Sequence, residues 1–215
     1  MNNMTIYSFL GDFYHEHDHS YPSVKKAVEA NNAALADCKL AEISAVIDQN
    51  PAAIILGCEN RINPEDDIVN FWLTSALDEK ITAYVRNGGL LVVLHAALAS
   101  YPEDSKYVDM VKGYFISHPE EHCKVRYMGK LPLASSAAFD YEIMDEFYIV
   151  HVNENETNIY MRTESAEHGK GIGGWYHSYG AGKVIVIIPT HRQDGYEHPE
   201  TIRLISEGLA WALSE

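Results

Sequence analysis

The stretch TAYVRNGGLLVVLHAA, residues 82–97, decides the fold class of this chain. Its first part completes a helical pattern that runs to Arg86. The sequence Asn87-Gly88-Gly89 ends this helix, because glycine takes the left-handed conformation that a helix C-cap favours. Residues 90–94, LLVVL, are apolar on both faces, as expected for a central strand of a parallel sheet. The stretch therefore predicts a helix followed at once by a buried parallel strand.

Other apolar runs lie on both sides of this stretch and follow the same logic. Buried strands are predicted at 4–10, 52–57 and 183–188, and the amphipathic pattern of 199–213 predicts a closing helix. The remaining predictions are a polar loop at 12–22, helices at 23–36, 63–86 (with one break) and 105–116, strands at 124–128, 146–152 and 157–162, and a helix or short strand at 41–47. The helix at 63 is predicted from Asn63-Pro64 and the acids that follow, which are typical of a helix start.

Buried strands that alternate with helices predict an α/β fold with a mostly parallel sheet and helices on both faces. The more polar middle of the chain is expected to add an antiparallel insertion or edge to that sheet. A length of 215 residues with 47% apolar and 22% charged residues fits a single globular domain covering 1–215.

Charge and cysteine content exclude several classes of protein. The 31 acidic and 16 basic residues give a net charge of −15, which argues against binding to nucleic acid or an anionic membrane. No apolar run approaches the ~20 residues of a membrane-spanning helix, and the N-terminus lacks the features of a signal peptide. The three cysteines, Cys38, Cys58 and Cys123, share no metal-type spacing, so we expect a reduced, cytoplasmic protein.

Histidines follow three of the four predicted buried strands. The run around His15 follows 4–10, His95 directly follows 90–94, and His191 closes Pro189-Thr190-His191 after 183–188. Ligands in open parallel sheets bind beyond the carboxyl ends of the strands, so we expect these imidazoles to share one pocket.

His95 occupies the position of the reactive side chain in a nucleophile elbow, because small residues (Ala96 and Ala97) follow it at once. Imidazole there could act as a base, an acid or a metal ligand. The alternative is a core histidine bonded to a backbone carbonyl. For His191 the alternative is a histidine of a surface loop.

The run His15-Glu16-His17-Asp18-His19 is typical of a metal-binding tract, because alternate residues of an extended segment project the same way. A solvated polar loop without a ligand is the alternative. Asp145-Glu146 precedes an apolar run, so Glu146 is either a general base or a solvated carboxylate at a strand start. His198 precedes Pro199 and is either a neighbour of a helix cap or a group that supports the site. No role is assigned to His122, His151, His168 or His177.

Several segments together resemble the trehalose-utilisation, or ThuA-like, family of the class I glutamine amidotransferase-like superfamily. The matching segments are Phe13-Tyr14-His15-Glu16, residues 82–97, GYFISHP (113–119), MDEFYI (144–149) and YGAGKVIVIIPTH…HPE…GLAWA (179–212). They cover most of the chain and occur in the family's order. The first-strand loop differs in carrying three histidines, of which His15 matches best.

The resemblance implies a flavodoxin-like, doubly wound fold in which His95 replaces the amidotransferase cysteine and His191 lies near the amidotransferase histidine. A working glutaminase is therefore not expected. The resemblance implies catabolism of trehalose or related disaccharides and keto-sugars. The catalytic residues we assign are His95, His191 and Glu146; the substrate-binding residues are Tyr14, His118, Asp145 and His198; the metal ligands are His15, His95 and His191, with His17 and His19 as alternatives and zinc as the favoured ion.

The leading hypothesis is thus a metal-assisted, sugar-modifying enzyme of the isomerase, lyase or hydrolase type, whose partner is a small sugar substrate. One alternative is a binding or regulatory domain without catalysis. Another is an amidase or hydrolase that uses Cys58 or Cys123. A homodimer is common for this fold, and the sequence does not require one.

Overall fold

The strand predicted at 90–94 lies inside a nine-stranded sheet in the computed structural model, which describes residues 4–214. Residues 1–3 and 215 of the predicted domain lie outside the described residues. The strands are β1 (Thr5–Leu10), β2 (Ala34–Asp37), β3 (Ala53–Gly57), β4 (Leu90–Leu94), β5 (Gly113–Ser117), β6 (Cys123–Gly129), β7 (Phe139–Asp145), β8 (Ile149–Val152), β9 (Asn158–Ser165), β10 (Gly169–Tyr179) and β11 (Gly182–Ile187). The helices are α1 (His17–Glu29), α2 (Ile43–Ile47), α3 (Ser75–Arg86), α4 (Lys106–Val111), α5 (Gln193–Tyr196) and α6 (Pro199–Leu213).

The sheet consists of a parallel half and an antiparallel half. In the parallel half the spatial order is β2-β1-β3-β4-β11, and every neighbouring pair is parallel. This is the strand order of flavodoxin-like folds. The sheet then continues through β10, β9, β6 and β7 with antiparallel pairs, while β5 and β8 pair separately. The predicted α/β class is confirmed, and the predicted antiparallel addition forms the second half of the sheet.

Helices cover both faces of the parallel half, which explains why its central strands are apolar throughout. Val92 and Leu94 of β4 belong to the buried cluster that includes α1 and α6. Leu91 and Val93 belong to the cluster that includes α2, α3 and α4. Burying one such side chain is worth about 1.5–3 kcal/mol, so both faces stabilise the strand. None of the described helices is long and apolar enough to cross a membrane.

The helix predicted from residue 63 begins only at Ser75. Thr74 is its N-cap, and the threonine side chain accepts a hydrogen bond from the Leu77 N–H. Asn63 instead closes a loop, because its side chain accepts from the Asn70 N–H at 2.6 Å and donates to the Ile68 carbonyl at 2.9 Å. An asparagine side chain bonds nearby backbone in either setting, so the prediction of a helix start at Asn63 was wrong.

The segment between β1 and β3 also differs from the prediction. The predicted loop at 12–22 becomes helical at His17, and the helix ends at Glu29 rather than at 36. Ala34–Asp37 forms the edge strand β2, paired in parallel with β1. Alanine favours helix, and strand pairing overrides that weak preference. Residues 43–47, for which helix and strand were both open, are helical.

Two differences determine the surroundings of Glu146. No strand was predicted at β7, which ends at Asp145, and β8 begins at Ile149 rather than at 146, so Glu146 lies in the connection between these strands. The helix predicted at 105–116 ends at Val111, because Lys112 adopts a left-handed backbone (φ 63°) and leads into β5.

Candidate active site

His95 lies at the turn that follows β4, where its backbone takes an unusual positive φ of 28°. A 3₁₀ turn over His95–Leu98 begins immediately, and Ala96 and Ala97 are buried against the sheet. Side chains larger than alanine would hold this turn away from the strand. The arrangement has the layout of a nucleophile elbow with an imidazole at the reactive position.

The buried ring of His95 is held by two partners. Nδ1 lies 2.8 Å from the carbonyl oxygen of Ile188, which can only accept, so Nδ1 carries the hydrogen. Nε2 lies 3.2 Å from Glu146 Oε2. The ring also stacks on Tyr148, with centroids 4.0 Å apart. His95 is thus a buried histidine bonded to a backbone carbonyl, as the alternative interpretation predicted, but its Nε2 faces Glu146.

Asp12, just after β1, orients His15. Its buried carboxylate oxygen Oδ1 accepts from the backbone N–H groups of Tyr14 (2.9 Å) and His15 (3.0 Å). The same oxygen lies 2.7 Å from His15 Nδ1, which leaves Nε2 free to face the cluster. Burial alone would raise the pKa of Asp12, but the hydrogen bonds and charge of His15 lower it below its ordinary value.

Asp145 holds the backbone of His191 after β11. Its side chain is fully buried and accepts from the backbone N–H of His191 at 2.9 Å. The other oxygen accepts from the Tyr127 hydroxyl at 2.7 Å. Burial raises the pKa of Asp145, although the nearby His95 charge and these hydrogen bonds oppose the shift. Asp145, predicted to bind substrate, is fully buried, and it is not among the residues that line the candidate cavity described below.

Glu146 is the point at which the histidines meet. Besides the His95 contact at Oε2, its Oε1 lies 3.4 Å from His191 Nδ1, 3.5 Å from His118 Nε2 and 3.7 Å from His122 Nε2. The ring centroids of His15 and His191 are 4.8 Å apart, and those of His15 and His95 are 5.3 Å apart. The ends of three parallel strands and one connection of the antiparallel half thus bring these groups together.

Four of these residues fit a divalent cation. His15, His95, Glu146 and His191 each offer one ligand atom, and the four atoms lie within 4.8 Å of one another. Imidazole nitrogen and carboxylate oxygen form a donor set typical of zinc and related ions. The outward Nδ1 hydrogen bonds of His15 and His95 are those that orient metal-bound histidines. In addition, His191 Nδ1 is buried without a hydrogen-bond partner among the described residues.

The charges of the cluster are strongly coupled. Burial would raise the pKa of Glu146, but His95, His191 and His118 lower it to about 2. Burial would lower the pKa of His95, but Glu146 outweighs it and raises that pKa. Burial, together with the neighbouring His95 and His15, lowers the pKa of His191 to about 4 against the opposing effect of Glu146. An ionised carboxylate and a neutral imidazole are the forms that bind a metal ion.

A cavity of about 400 Å³ opens beside the cluster. Its lining residues are Tyr14, His15, Glu59, Arg61, Ala99, Phe115, His118, Glu146, Tyr148 and His191. Tyr14 and His118, both predicted to bind substrate, are therefore at the cavity. A larger cavity of about 630 Å³ also borders Tyr148 but has none of the clustered histidines in its lining, so the smaller one is the candidate site.

His17 and His19, the alternative metal ligands, do not belong to the cluster. Their segment is the start of α1 rather than an extended tract, so alternate side chains do not share one direction. His17 contacts Asp18 and Asp37, each at 2.9 Å. His19 lies 3.4 Å from Glu16.

His198, predicted to bind substrate, is instead the N-cap of α6. Its Nδ1 accepts from the Glu200 N–H at 3.2 Å, and its ring stacks on Tyr141 at 4.8 Å. It does not line the candidate cavity. The cap role was the alternative prediction, and it follows from Pro199 at the first helical position.

Two groups of the site were not predicted from the sequence. Asp12 follows Gly11 at the end of a strand, and an aspartate there often closes a turn by accepting the backbone N–H two residues further on. That signal could have predicted Asp12. His122 has no such signal; it approaches Glu146 and stacks edge-to-face with His191 only through the loop after β5.

Neither cysteine of the thiol hydrolase alternative, Cys58 or Cys123, lines the candidate cavity. Cys58 and Cys123 are buried, and the Cys58 thiol donates to the carbonyls of Phe9 (3.2 Å) and Gly11 (3.3 Å). Burial, with the negative charge of Asp12 nearby, raises the pKa of Cys58 well above its ordinary value. A thiol that stays protonated is a poor nucleophile, which argues against the thiol hydrolase alternative.

One comparison with known proteins identifies a family. A family model described as ThuA, trehalose utilisation, matches residues 6–212. No curated protein matches the sequence.

Solved structures show the same fold. A ThuA-like protein from Parabacteroides merdae ATCC 43184 superposes with a TM-score of 0.78 at 13% identity, covering 99% of this chain and 91% of that chain. A ThuA-like protein from Bacteroides uniformis ATCC 8492 gives 0.70 at 14% identity, covering 100% and 94%. The β-galactosidase of Rahnella sp. R3 gives 0.67 at 11% identity, covering 100% of this chain but 32% of that chain. At these identities the likeness shows the fold alone.

Proposed function

The chain belongs to the ThuA family, whose model spans residues 6–212, and we propose that it is a carbohydrate-processing enzyme acting on trehalose or on related disaccharides and keto-sugars. The observation that supports this most is the cluster of His15, His95, His191 and Glu146 beside a cavity of about 400 Å³. Cavities of this size accept small molecules.

In this proposal, the imidazoles of His15, His95 and His191 hold a divalent ion, with zinc as the first candidate and Glu146 beside it. A bound ion of this kind would polarise a carbonyl or hydroxyl oxygen of the sugar. Asp12 and the Ile188 carbonyl keep two of the rings in the tautomer that presents Nε2. The chain thereby preorganises the site before the substrate arrives.

Proton transfer is assigned to Glu146 and His118. Both line the cavity, and His118 Nε2 lies 3.5 Å from Glu146 Oε1, a distance that can shorten when a substrate binds. His118 would accept a proton from a sugar hydroxyl or from carbon next to a carbonyl, and the ionised Glu146 beside it would stabilise the charge that forms on its ring. Such a step is common to isomerases, lyases and hydrolases of keto-sugars. Tyr14 is the proposed substrate contact at the cavity rim.

The test is the metal content of protein purified without a histidine tag, measured by elemental analysis, together with turnover of trehalose and of keto-sugars derived from it. The wild type and the control His151→Ala, which removes an exposed histidine of β8, should carry close to one ion per chain and turn over substrate. His15→Ala, His191→Ala and Glu146→Gln should lose both properties.

Unchanged metal content and turnover in these variants would contradict the proposal. Stabilisation by a sugar in thermal unfolding, without any turnover, would instead support a binding domain that has the fold but no catalysis, because a ligand selective for the native state stabilises it by mass action.

A further inference from the structure

A second polar group lines the cavity apart from the histidine cluster. Glu59, two residues after β3, has only 2% of its surface exposed, and its Oε2 accepts from Arg61 at 2.8 Å (Nη2) and 3.3 Å (Nε). The Ser100 hydroxyl donates to the same oxygen at 3.3 Å. The other oxygen, Oε1, is buried and has no hydrogen-bond partner among residues 4–214.

An unpartnered oxygen on a buried carboxylate is unusual, because buried acceptors are almost always hydrogen-bonded. Arg61 engages Glu59 through Nε and Nη2, and no described residue accepts a hydrogen bond from its Nη1. The pair therefore retains one buried acceptor and further donors, and both residues line the cavity. A ligand group that both donates and accepts would satisfy them together.

The backbone of Glu59 is fixed relative to the histidine cluster. The Glu59 backbone N–H donates a hydrogen bond of 2.8 Å to Oδ2 of Asp12. The other oxygen of this carboxylate, Oδ1, orients His15. The Trp72 indole N–H donates to the Glu59 carbonyl at 2.9 Å. The Asp12 carboxylate thus fixes the position of Glu59 relative to His15, and the buried Glu59 in turn binds Arg61.

Aromatic side chains line the cavity together with these polar groups. Tyr14, Phe115 and Tyr148 contribute to the lining, and the Arg61 guanidinium lies 5.4 Å from the centre of the Tyr14 ring. Aromatic faces pack against the apolar C–H faces of sugar rings, while hydroxyls need paired acceptors and donors. The lining offers both.

We propose that Glu59 and Arg61 form the hydroxyl-binding subsite of the substrate cavity. Glu59 Oε1 accepts from one hydroxyl of a neutral pyranose, and Arg61 donates to the neighbouring hydroxyl. This subsite rests on the proposed function, since it presupposes a sugar substrate. It specifies a neutral sugar with a vicinal diol, because Glu59 Oε1 needs a hydrogen-bond donor, which an ionised carboxylate or phosphate lacks.

The experiment measures two affinities in each variant. Zinc affinity is measured by competition with a chromophoric chelator. Sugar affinity is measured by calorimetry with methyl α-D-glucopyranoside, its 2-, 3- and 4-deoxy analogues, and glucuronic acid. The variants are Glu59→Gln, which keeps the shape, and Arg61→Lys, with Glu142→Gln on the exposed face of β7 as the matched control.

Glu59→Gln should weaken glucoside binding by about 10- to 100-fold, as expected when a hydrogen bond to a charged group is lost. One deoxy analogue should bind the wild type as weakly as the glucoside binds Glu59→Gln. The Glu59→Gln variant should bind that analogue and the glucoside with equal affinity. Zinc affinity should stay at the wild-type value in both variants, which also shows that they fold.

Wild-type glucoside affinity in both Glu59→Gln and Arg61→Lys would overturn the subsite. So would tighter binding of glucuronic acid than of the glucoside, or a wild type that binds zinc but none of the sugars. A protein that binds no zinc but shows the Glu59-dependent sugar affinity would contradict the metal proposal and support the subsite.

Discussion

Asp12 shows how one side chain outside the cavity lining can organise the histidine cluster. It orients the His15 ring through one oxygen and holds the Glu59 backbone through the other. Its burial makes the arrangement rigid. Residues that orient a metal-binding histidine in this way typically contribute about 10- to 100-fold to metal affinity.

Asp12→Asn should therefore lower zinc affinity by about 10- to 100-fold, because a neutral amide orients and polarises the His15 ring less well. Competition with a chromophoric chelator measures the change. Asp37→Asn is the matched control, since it removes a carboxylate that bonds His17 outside the cluster. Equal zinc affinity in the two variants would show that Asp12 does not support a metal ligand.

His17 provides a pH-dependent prediction that is independent of the cluster. Burial would lower its pKa, but the carboxylates of Asp18 and Asp37 outweigh it and raise the pKa above the ordinary value. The folded state thus binds the His17 proton more tightly. This contribution to stability is complete below the unfolded pKa of about 6.5 and is lost as the pH rises through the raised folded pKa.

A titration followed by NMR should give a His17 pKa above that of a free histidine, and Asp37→Asn should bring it down. Saturating zinc should leave the His17 resonances in place. A zinc-dependent shift of His17 as large as that of His15 would restore His17 as a ligand.

The residues of the site could be predicted from sequence only where a strand end is recognisable. His95 and His191 follow long apolar runs, so the amino-acid pattern alone places them at the sheet edge. Glu146 was proposed from its place before an apolar run and from the family resemblance, and its central position depends on the connection between β7 and β8. His122 could not be predicted, because its approach to Glu146 depends on the path of a loop.

At the scale of elements, Gly11 connects β1 to the loop that carries Asp12 and His15. Its φ of 83° is in the left-handed region, and a Cβ there would lie 2.8 Å from the His17 Cβ. Gly11→Ala should therefore lower the free energy of unfolding by more than the ~1 kcal/mol of conformational strain alone, and should weaken zinc binding as the loop shifts.

Gly169→Ala is the matched control, because Gly169 has a similar φ of 80° but open space where the Cβ would lie. Urea unfolding of both variants separates the steric effect from the conformational one. Equal losses of stability in the two variants would mean that the contact with α1 does not matter.

Element predictions succeeded where one interaction dominates. The central strands are long apolar runs that burial on both faces specifies, and α6 has a clear amphipathic period. β2 and α1 were misplaced because short elements depend on pairing with a neighbour rather than on composition. The missed β7 has the sequence FDYEIMD, in which apolar and polar residues mostly alternate. This alternation predicts a strand with one buried face and one solvent-exposed face.

For the whole molecule, a bound ion should fasten the two halves of the sheet together. The histidine ligands follow β1, β4 and β11 of the parallel half, whereas Glu146 comes from the connection that follows β7. Zinc at a hundredfold excess over its Kd should add about 2.7 kcal/mol to the free energy of unfolding, and a chelator should remove that gain.

Thermal unfolding with zinc or with a chelator measures this effect, and hydrogen exchange should show added protection on both sides of the β11–β10 pair. The His15→Ala/His191→Ala double variant should show no zinc-dependent rise in Tm. A rise equal to that of wild type would place the stabilising ion elsewhere.

The division of labour between the two halves has an evolutionary consequence. During evolution the antiparallel half, which carries Glu146, could change while the parallel half kept His15, His95 and His191. Members with different activities would then differ mainly in the antiparallel half of the sheet and share the parallel half.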